Sequence, residues 1–123
     1  KPELDFCKKE GVMIVTPLNL RRDGLDKAGR RVSSFLGRFR HAYVTVDIDV
    51  LDPAFAPGVG NPEPDGLSTD ELLSLVGSSM VRNLSGFDLV EVSPQLDSGQ
   101  TAAVGAKVIL EAVAAHHSRS HSR

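Results

Sequence analysis

Residues 44–58 read VTVDIDVLDPAFAPG, a run rich in β-branched and apolar residues that also contains three aspartates and two prolines. Because such a run favours a buried strand, an ionised carboxylate inside it is costly unless a partner or a cation neutralises it. Strand side chains alternate, so Asp47 and Asp49 are predicted to share one face, with Cα atoms roughly 6.6 Å apart. Pro53 stops regular pairing. The stretch therefore predicts a divalent cation at the carboxyl end of a buried strand.

The totals indicate an ordinary globular protein. The chain has 123 residues, a net charge of -2, 41% apolar and 24% charged residues, which predicts a single domain over residues 1–123 and gives no basic patch for nucleic acid. Cys7 is the only cysteine, so no internal disulfide forms. Nothing in the sequence resembles a secretory leader or a membrane span of ~18 apolar residues, so a cytoplasmic protein without a membrane contact is expected.

The order of elements predicts an α/β fold. Four helices are predicted, over 2–10, over 24–38, from 68 and over 102–115. Three strands are predicted, over 12–16, 41–48 and 87–92. Residues 18–23 are predicted to form a polar loop, and residues 116–123 a frayed tail. The helix from 68 has the clearest signal, because Ser68 and Glu71 form a capping box and Leu67 and Leu72 a hydrophobic staple. Alternation of this kind predicts a parallel sheet of about three strands with helices on its faces.

Three acids are predicted at the carboxyl edge of this sheet. Asp47 and Asp49 favour a hard or borderline ion such as magnesium or manganese. A metal pair ~3.5–4 Å apart can ionise a bridging water near neutral pH. Glu91 ends the neighbouring strand and suits a cationic, planar guanidinium, which carboxylates bind through paired hydrogen bonds.

Other polar residues receive structural interpretations. Asp52 precedes Pro53 and is predicted to order the loop by accepting hydrogen bonds from backbone N–H groups. Asp88 is predicted to form a surface or helix-facing ion pair. The four histidines are predicted to be solvated; they are His41, His116, His117 and His121.

Two runs carry a family resemblance, VTVDIDVLDPAFAPGVGNPEPDGLS at 44–68 and GFDLVEVSPQLDSGQTAAVGAKVI at 86–109. From Val12 to His116 the chain resembles the carboxyl-terminal part of the ureohydrolase family of arginases and agmatinases. The resemblance implies a three-layer, arginase-like α/β fold in which Asp47 and Asp49 ligate a pair of manganese ions. It also implies that Glu91 helps hold the substrate guanidinium while a metal-bound hydroxide attacks its carbon and releases urea.

Within the family the chain looks more like agmatinases than arginases, on the EVSP run from Glu91 and on DPAFAPG. Agmatine, cleaved to putrescine for polyamine biosynthesis, is the expected substrate, and arginine or another guanidino acid is the alternative. Asn61 stands where many members have threonine, and Asp65 where glycine is common, which leaves the substrate specificity open. The resemblance suggests a homo-oligomer, a trimer or hexamer.

The family's amino-terminal half carries GGDHS and DAHxD motifs that supply the remaining metal ligands, and neither motif occurs in this sequence. The resemblance therefore predicts an incomplete portion of a longer enzyme, with two metal ligands of the six expected and little activity by itself.

Two other readings stay open. A haloacid-dehalogenase-like phosphohydrolase also has an apolar strand ending in Asp-x-Asp, with Asp47 as nucleophile, Asp49 as general acid and magnesium as cofactor. About twenty residues rich in proline and glycine, 49–68, follow the second predicted strand, and this long loop fits that class poorly. The other alternative is a metal-stabilised structural domain without catalysis.

Overall fold

Five α-helices and two parallel strands form the described part of the chain, residues 2–121 of a computed structural model. In chain order they are α1 Pro2–Lys9, α2 Pro17–Asp23, α3 Leu25–Leu36, β1 Ala42–Asp47, α4 Thr69–Ser79, β2 Leu84–Val90 and α5 Gln100–His121. Short 3₁₀ turns, Ile48–Val50 and Pro94–Leu96, follow the two strands. The α/β prediction is confirmed.

The two strands pair in parallel, with Val46 opposite Leu89 and Asp47 opposite Val90. They are joined through α4, as parallel strands require a long crossover. The sheet therefore has two strands within residues 2–121, where the sequence predicted about three. A parallel bridge between Leu51 and Leu67 closes the long loop after β1.

The predicted strand over 12–16 is wrong. These residues are irregular, and Val12 and Ile14 are 49% and 38% exposed. Apolar β-branched residues are suited to a strand, but a strand also needs a neighbour for its backbone hydrogen bonds. No strand in the described part of the chain pairs with this segment.

The predicted polar loop over 18–23 is also wrong, because helix α2 occupies it. Thr16 is the N-cap: its hydroxyl accepts from the N–H of Asn19 at 3.2 Å, and the Asn19 side chain accepts from the N–H of Thr16 at 3.1 Å. Pro17 follows at the first helical position, where its missing N–H costs nothing. Leu20 is the residue that α2 buries.

The capping box of α4 is confirmed. The Ser68 hydroxyl accepts from the N–H of Glu71 at 3.2 Å, and the Glu71 carboxylate accepts from the N–H of Ser68 at 2.8 Å. Leu67 and Leu72 are both buried, as the staple predicts. The cap fixes the point at which the long loop returns to regular structure.

One hydrophobic core joins the sheet, the long loop and the helices, and α4 packs against both α3 and α5. Its fully buried side chains include Ile48, Leu51, Met80 and Val108. Ile48 and Leu51 flank the turn that follows β1. The core therefore anchors the backbone on both sides of Asp49.

Helix α5 is longer than predicted. Residues 116–121, expected to fray, continue the helix, while 122–123 lie outside the described residues. Arg119 holds this end against the region of α4, because its guanidinium donates to the carbonyl of Gly77 at 3.1 Å and its carbonyl accepts from Arg82 Nε at 3.0 Å. No helix within residues 2–121 combines the length and the apolar character needed to cross a membrane.

Candidate metal centre

Asp47 is the last residue of β1 and caps the turn that follows. Its carboxylate accepts from the backbone N–H of Asp49 at 3.2 Å, which makes it the N-cap of the 3₁₀ turn Ile48–Val50. Asp49 therefore lies in the turn and not in the strand. The prediction that Asp47 and Asp49 share one face of a strand is wrong. A carboxylate at an N-cap satisfies a backbone donor, and this local bond bends the chain away from the strand.

Glu91 lies at the same edge of the sheet as the two aspartates. It follows Val90, the residue that pairs with Asp47, and its φ of 65° turns the chain sharply at the end of β2. This left-handed conformation is uncommon for a residue other than glycine. Gly60 of the long loop is close by, because a Cβ there would lie 3.9 Å from Glu91 Oε2. Two strand ends and the long loop thus surround one acidic edge.

The three carboxylates interact unfavourably. The pKa of Asp49 is raised above its ordinary value, first by burial, then by its hydrogen bond with Asp47, and then by the negative charges of Asp47 and Glu91. In the described part of the chain, none of the lysine or arginine ion pairs involves these acids. Repulsion between unneutralised carboxylates is relieved by a cation.

The donor set fits a hard divalent ion but does not complete its coordination. Carboxylate oxygens are the ligands that magnesium, calcium and manganese prefer. Within residues 2–121, no group of three or more histidine, cysteine, aspartate and glutamate side chains is placed to hold a metal ion. Asp47 and Asp49 can therefore provide only part of a metal site.

Asp52 orders the long loop, as predicted. Its two carboxylate oxygens accept from the N–H of Ala54 at 2.9 Å and from the N–H of Asp65 at 2.8 Å. Asp65 has a φ of 70°, and Arg21 holds it by donating to its carboxylate at 2.7 Å and to its carbonyl at 2.8 Å. Helix α2 thus anchors the far side of the loop.

A second attachment of the loop centres on Gly58. Its N–H donates to the hydroxyl of the buried Thr101 at 2.8 Å, and its carbonyl accepts from the N–H of Ser93 at 2.8 Å. A Cβ at Gly58 would lie 2.7 Å from the Asp97 carboxyl carbon. The loop after β1, the loop after β2 and the start of α5 are therefore joined, and the sequence pattern gave no sign of it.

The predicted ion pair of Asp88 is wrong. The Asp88 carboxylate accepts from the hydroxyls of Thr45 and Tyr43 on the neighbouring strand, the latter at 2.6 Å. These hydrogen bonds, that of Thr45 first, hold the pKa of Asp88 below its usual range. Thr45 and Asp88 are opposite each other in the ladder, so this is a cross-strand polar pair.

A protein-family model described as "Arginase family" matches residues 1–115. The chain belongs to the arginase family. The resemblance in the aspartate-rich run and the EVSP run is therefore confirmed, and so is the arginase-like fold class. The acidic edge of this arginase-family chain consists of the two motifs that carry that resemblance.

Similar curated proteins are much longer than this chain. It is 38% identical over 122 residues to proclavaminate amidinohydrolase of Streptomyces clavuligerus, covering 98% of the chain and 39% of that protein. It is 38% identical over 102 residues to agmatinase of Proteus mirabilis, covering 82% of the chain and 33% of that protein.

Solved structures agree in fold. Proclavaminate amidinohydrolase of Streptomyces clavuligerus superposes with a TM-score of 0.87 at 37% identity, covering 96% of this chain and 40% of that one. Arginase from Bacillus subtilis superposes with a TM-score of 0.85 at 25% identity, covering 92% and 41%. The chain thus spans about two fifths of the length of these arginase-family structures.

Asp97 gives this arginase-family chain a predicted pH dependence. Its carboxylate accepts from the N–H groups of Thr101 at 2.7 Å and Gly99 at 2.8 Å at the start of α5. These bonds, that of the Thr101 N–H first, hold the pKa of Asp97 below its usual range. Because the folded pKa is the lower one, the stabilisation is present above the unfolded pKa of about 4 and is lost as pH falls through the folded pKa.

We therefore expect Asp97→Asn to weaken the acid dependence of unfolding below about pH 4. Urea unfolding at pH 3 and at pH 7 measures it, with Asp26→Asn on the exposed side of α3 as the control. If the wild type and Asp97→Asn lose the same stability between pH 7 and pH 3, the hydrogen bonds to the Asp97 carboxylate contribute nothing to the acid dependence.

Proposed function

We propose that this chain supplies part of the active site of a manganese-dependent amidinohydrolase of agmatinase type. The observation that carries the proposal is the meeting of Asp47, Asp49 and Glu91 at one sheet edge, where none of the ion pairs found within residues 2–121 involves them. Membership of the arginase family supports a hydrolytic role for that edge. It also removes the support for the phosphohydrolase alternative.

Each acid has a proposed role. Asp47 and Asp49 would hold manganese, and the bound metal would supply an ionised water for hydrolysis. Glu91 binds the planar guanidinium of the substrate through paired, charge-assisted hydrogen bonds. Its conformation, fixed immediately after β2, orients the substrate carbon towards the two aspartates.

Agmatine is the proposed substrate, with urea and putrescine as products. Relatives named agmatinase and the EVSP run from Glu91 support this choice. The relative named proclavaminate amidinohydrolase supports a second candidate, a guanidino acid. Asn61 and Asp65 lie in the loop where the two substrate classes would be distinguished, and Arg21 neutralises the charge of Asp65.

Assembly and location belong to the same proposal. A homo-oligomer, trimeric or hexameric, is supported by the apolar side chains that α5 leaves exposed, among them Leu110 and Val113 at 66% and 63%. A cytoplasmic location is supported by the single cysteine, which forms no disulfide. Light scattering after gel filtration measures the number of subunits.

The isolated chain is expected to release little urea. Two carboxylates fill only a fraction of the sphere that a metal ion needs, and residues 2–121 hold no larger group of ligands. The check is a urea assay with manganese and agmatine on this chain alone. A rate comparable to that of Proteus mirabilis agmatinase would contradict the claim that residues 2–121 hold only part of the metal site.

The proposed roles are tested in a chimera in which residues 12–116 replace the aligned segment of Proteus mirabilis agmatinase. The parent chimera is expected to release urea from agmatine, and Asp49→Asn to abolish release. Glu91→Gln is expected to raise KM by about 10- to 100-fold, because a charged hydrogen bond is lost. Substituting arginine for agmatine decides between the two substrate classes.

Asp70→Asn on the first turn of α4 is the control variant, since it removes one exposed carboxylate that has no proposed role at the acidic edge. Full activity of the Asp49→Asn chimera would refute the metal role of Asp49. An unchanged KM in Glu91→Gln would refute the guanidinium role of Glu91. If the parent chimera does not fold, the metal role of Asp49 is tested instead by manganese titration of the isolated chain and its Asp49→Asn variant.

A further inference from the structure

The last two turns of α5 bring two histidines together. His117 and His121 are four residues apart, and because the helix continues through His121 they lie on one face. Their ring centroids are 4.2 Å apart and the rings are inclined at 35°. The sequence predicted solvated histidines on the ground that they lack a ligand-like spacing; both side chains are exposed, but positions i and i+4 of a continuous helix are such a spacing.

The hydrogen bond of His121 fixes which of its nitrogens is free. Its Nδ1 lies 2.9 Å from the carbonyl oxygen of His117. A carbonyl oxygen only accepts, so Nδ1 carries the proton and Nε2 of the neutral ring keeps its lone pair. Histidines that ligate metals usually donate their other ring N–H to such a carbonyl, which sets both tautomer and orientation.

The position of the pair favours a cation. Both side chains are exposed and line the same cleft of about 470 Å³, whose apolar side includes Met80, Leu84 and Phe87. The dipole of a helix favours positive charge near its C-terminal turns. Arg119, between the two histidines in sequence, does not compete, because its guanidinium donates to Gly77.

We propose that His117 and His121 bind one borderline divalent transition-metal ion, Zn²⁺, Ni²⁺ or Cu²⁺, with water completing its coordination. Imidazole nitrogen prefers these ions, whereas the carboxylates of Asp47 and Asp49 prefer manganese or magnesium. The site is separate from the acidic edge and does not depend on the proposed hydrolase function. A bound ion links successive turns and stabilises the end of α5.

The test is Ni²⁺ titration by calorimetry of the full chain carrying Asp47→Asn and Asp49→Asn, which removes the carboxylates that would also bind Ni²⁺, with helicity followed by circular dichroism. We expect one saturable site per chain and increased helicity on binding. His117→Ala and His121→Ala are each expected to weaken binding by at least about tenfold. His116→Ala is the matched control, because its Nε2 is 3.4 Å from Ser120 Oγ and its Nδ1 is buried.

Two results would overturn the proposal. One is the absence of saturable binding at Ni²⁺ concentrations up to about 1 mM, which would mean a Kd too weak for a specific site. The other is binding that survives both single substitutions or is lost in His116→Ala. The histidine substitutions are made in the Asp47→Asn, Asp49→Asn chain, so failure at the acidic edge and failure of the histidine site remain distinguishable.

Discussion

Gly66→Ala is expected to destabilise the fold by about 2 to 3 kcal/mol, because the added methyl group has no space. A Cβ at Gly66 would lie 2.5 Å from the backbone nitrogen of Asp52 and 2.7 Å from both the carbonyl carbon of Leu51 and the carbonyl oxygen of Val50. All three are backbone atoms, so no flexible side chain can move aside.

The backbone at this point is held from both directions. The N–H of Asp52 donates to the carbonyl of Leu67 at 2.9 Å, and the N–H of Leu67 donates to the carbonyl of Val50 at 2.9 Å. Leu51 and Leu67 are buried, so moving either strand segment exposes apolar surface. A loss of about 2 to 3 kcal/mol in the free energy of unfolding corresponds to a fall in Tm of about 10 °C for a domain of this size.

Calorimetric melting of the wild type and Gly66→Ala measures this loss. Gly77→Ala is the matched control, since the nearest atom to its Cβ is 4.0 Å away, in the Glu111 side chain. Gly77 lies inside α4, where alanine is the better helix former, so the control is expected to gain about 0.5 to 1 kcal/mol. Equal Tm values for both variants would contradict the close-contact argument.

The sequence predicts those elements whose signals are local. Ser68, Glu71, Leu67 and Leu72 place the start of α4 correctly because capping box and staple involve neighbouring residues. The hydrogen bond from Ala54 to Asp52 is equally local, whereas the bond from Asp65 to Asp52 spans 13 residues. The same logic should have identified α2, where Thr16, Pro17 and Asn19 form an equivalent signal, but the apolar run before it favoured a strand.

The errors arise where the outcome depends on distant contacts. Whether the 12–16 segment becomes a strand depends on a neighbour that its own residues do not specify. Helix α5 continues past His116 because Arg119 reaches the carbonyl of Gly77, 42 residues away. The bond between Thr101 and Gly58 spans 43 residues and leaves no periodic pattern.

At the acidic edge, the sequence predicts which residues meet but not how. Parallel pairing brings Glu91 beside Asp47, as expected for strand ends in one sheet. Asp49 leaves the strand because its N–H donates to the Asp47 carboxylate instead of to a neighbouring strand. The alternation of side chains along a strand cannot predict this competition between a side chain and the hydrogen bonds of the sheet.

Asp49→Asn is expected to raise the Tm of the metal-free chain and to abolish its stabilisation by manganese. Asp49 is unfavourably placed beside Asp47 and Glu91 when all three are ionised, and the amide removes one of these charges. The same change removes a proposed manganese ligand, so added manganese is no longer expected to bind the folded state and offset the remaining repulsion.

Melting curves at neutral pH, with and without manganese, separate the two effects. Asp70→Asn is the control and is expected to lower both curves by the same small amount, because it removes an acid from the first turn of α4, and so to leave the shift caused by manganese unchanged. A metal-free Tm that falls in Asp49→Asn would show that this carboxylate stabilises the turn more than it repels its neighbours.

Manganese titration followed by electron paramagnetic resonance tests the central claim most directly, because the signal of free Mn²⁺ disappears on binding. The wild-type chain is expected to bind Mn²⁺ with a Kd of about 10⁻⁴ to 10⁻³ M, as expected of a site with few ligands. Asp47→Asn and Asp49→Asn are each expected to weaken binding by at least about tenfold. Equal binding by the wild type and both variants would contradict the assignment of the acidic edge as a metal site.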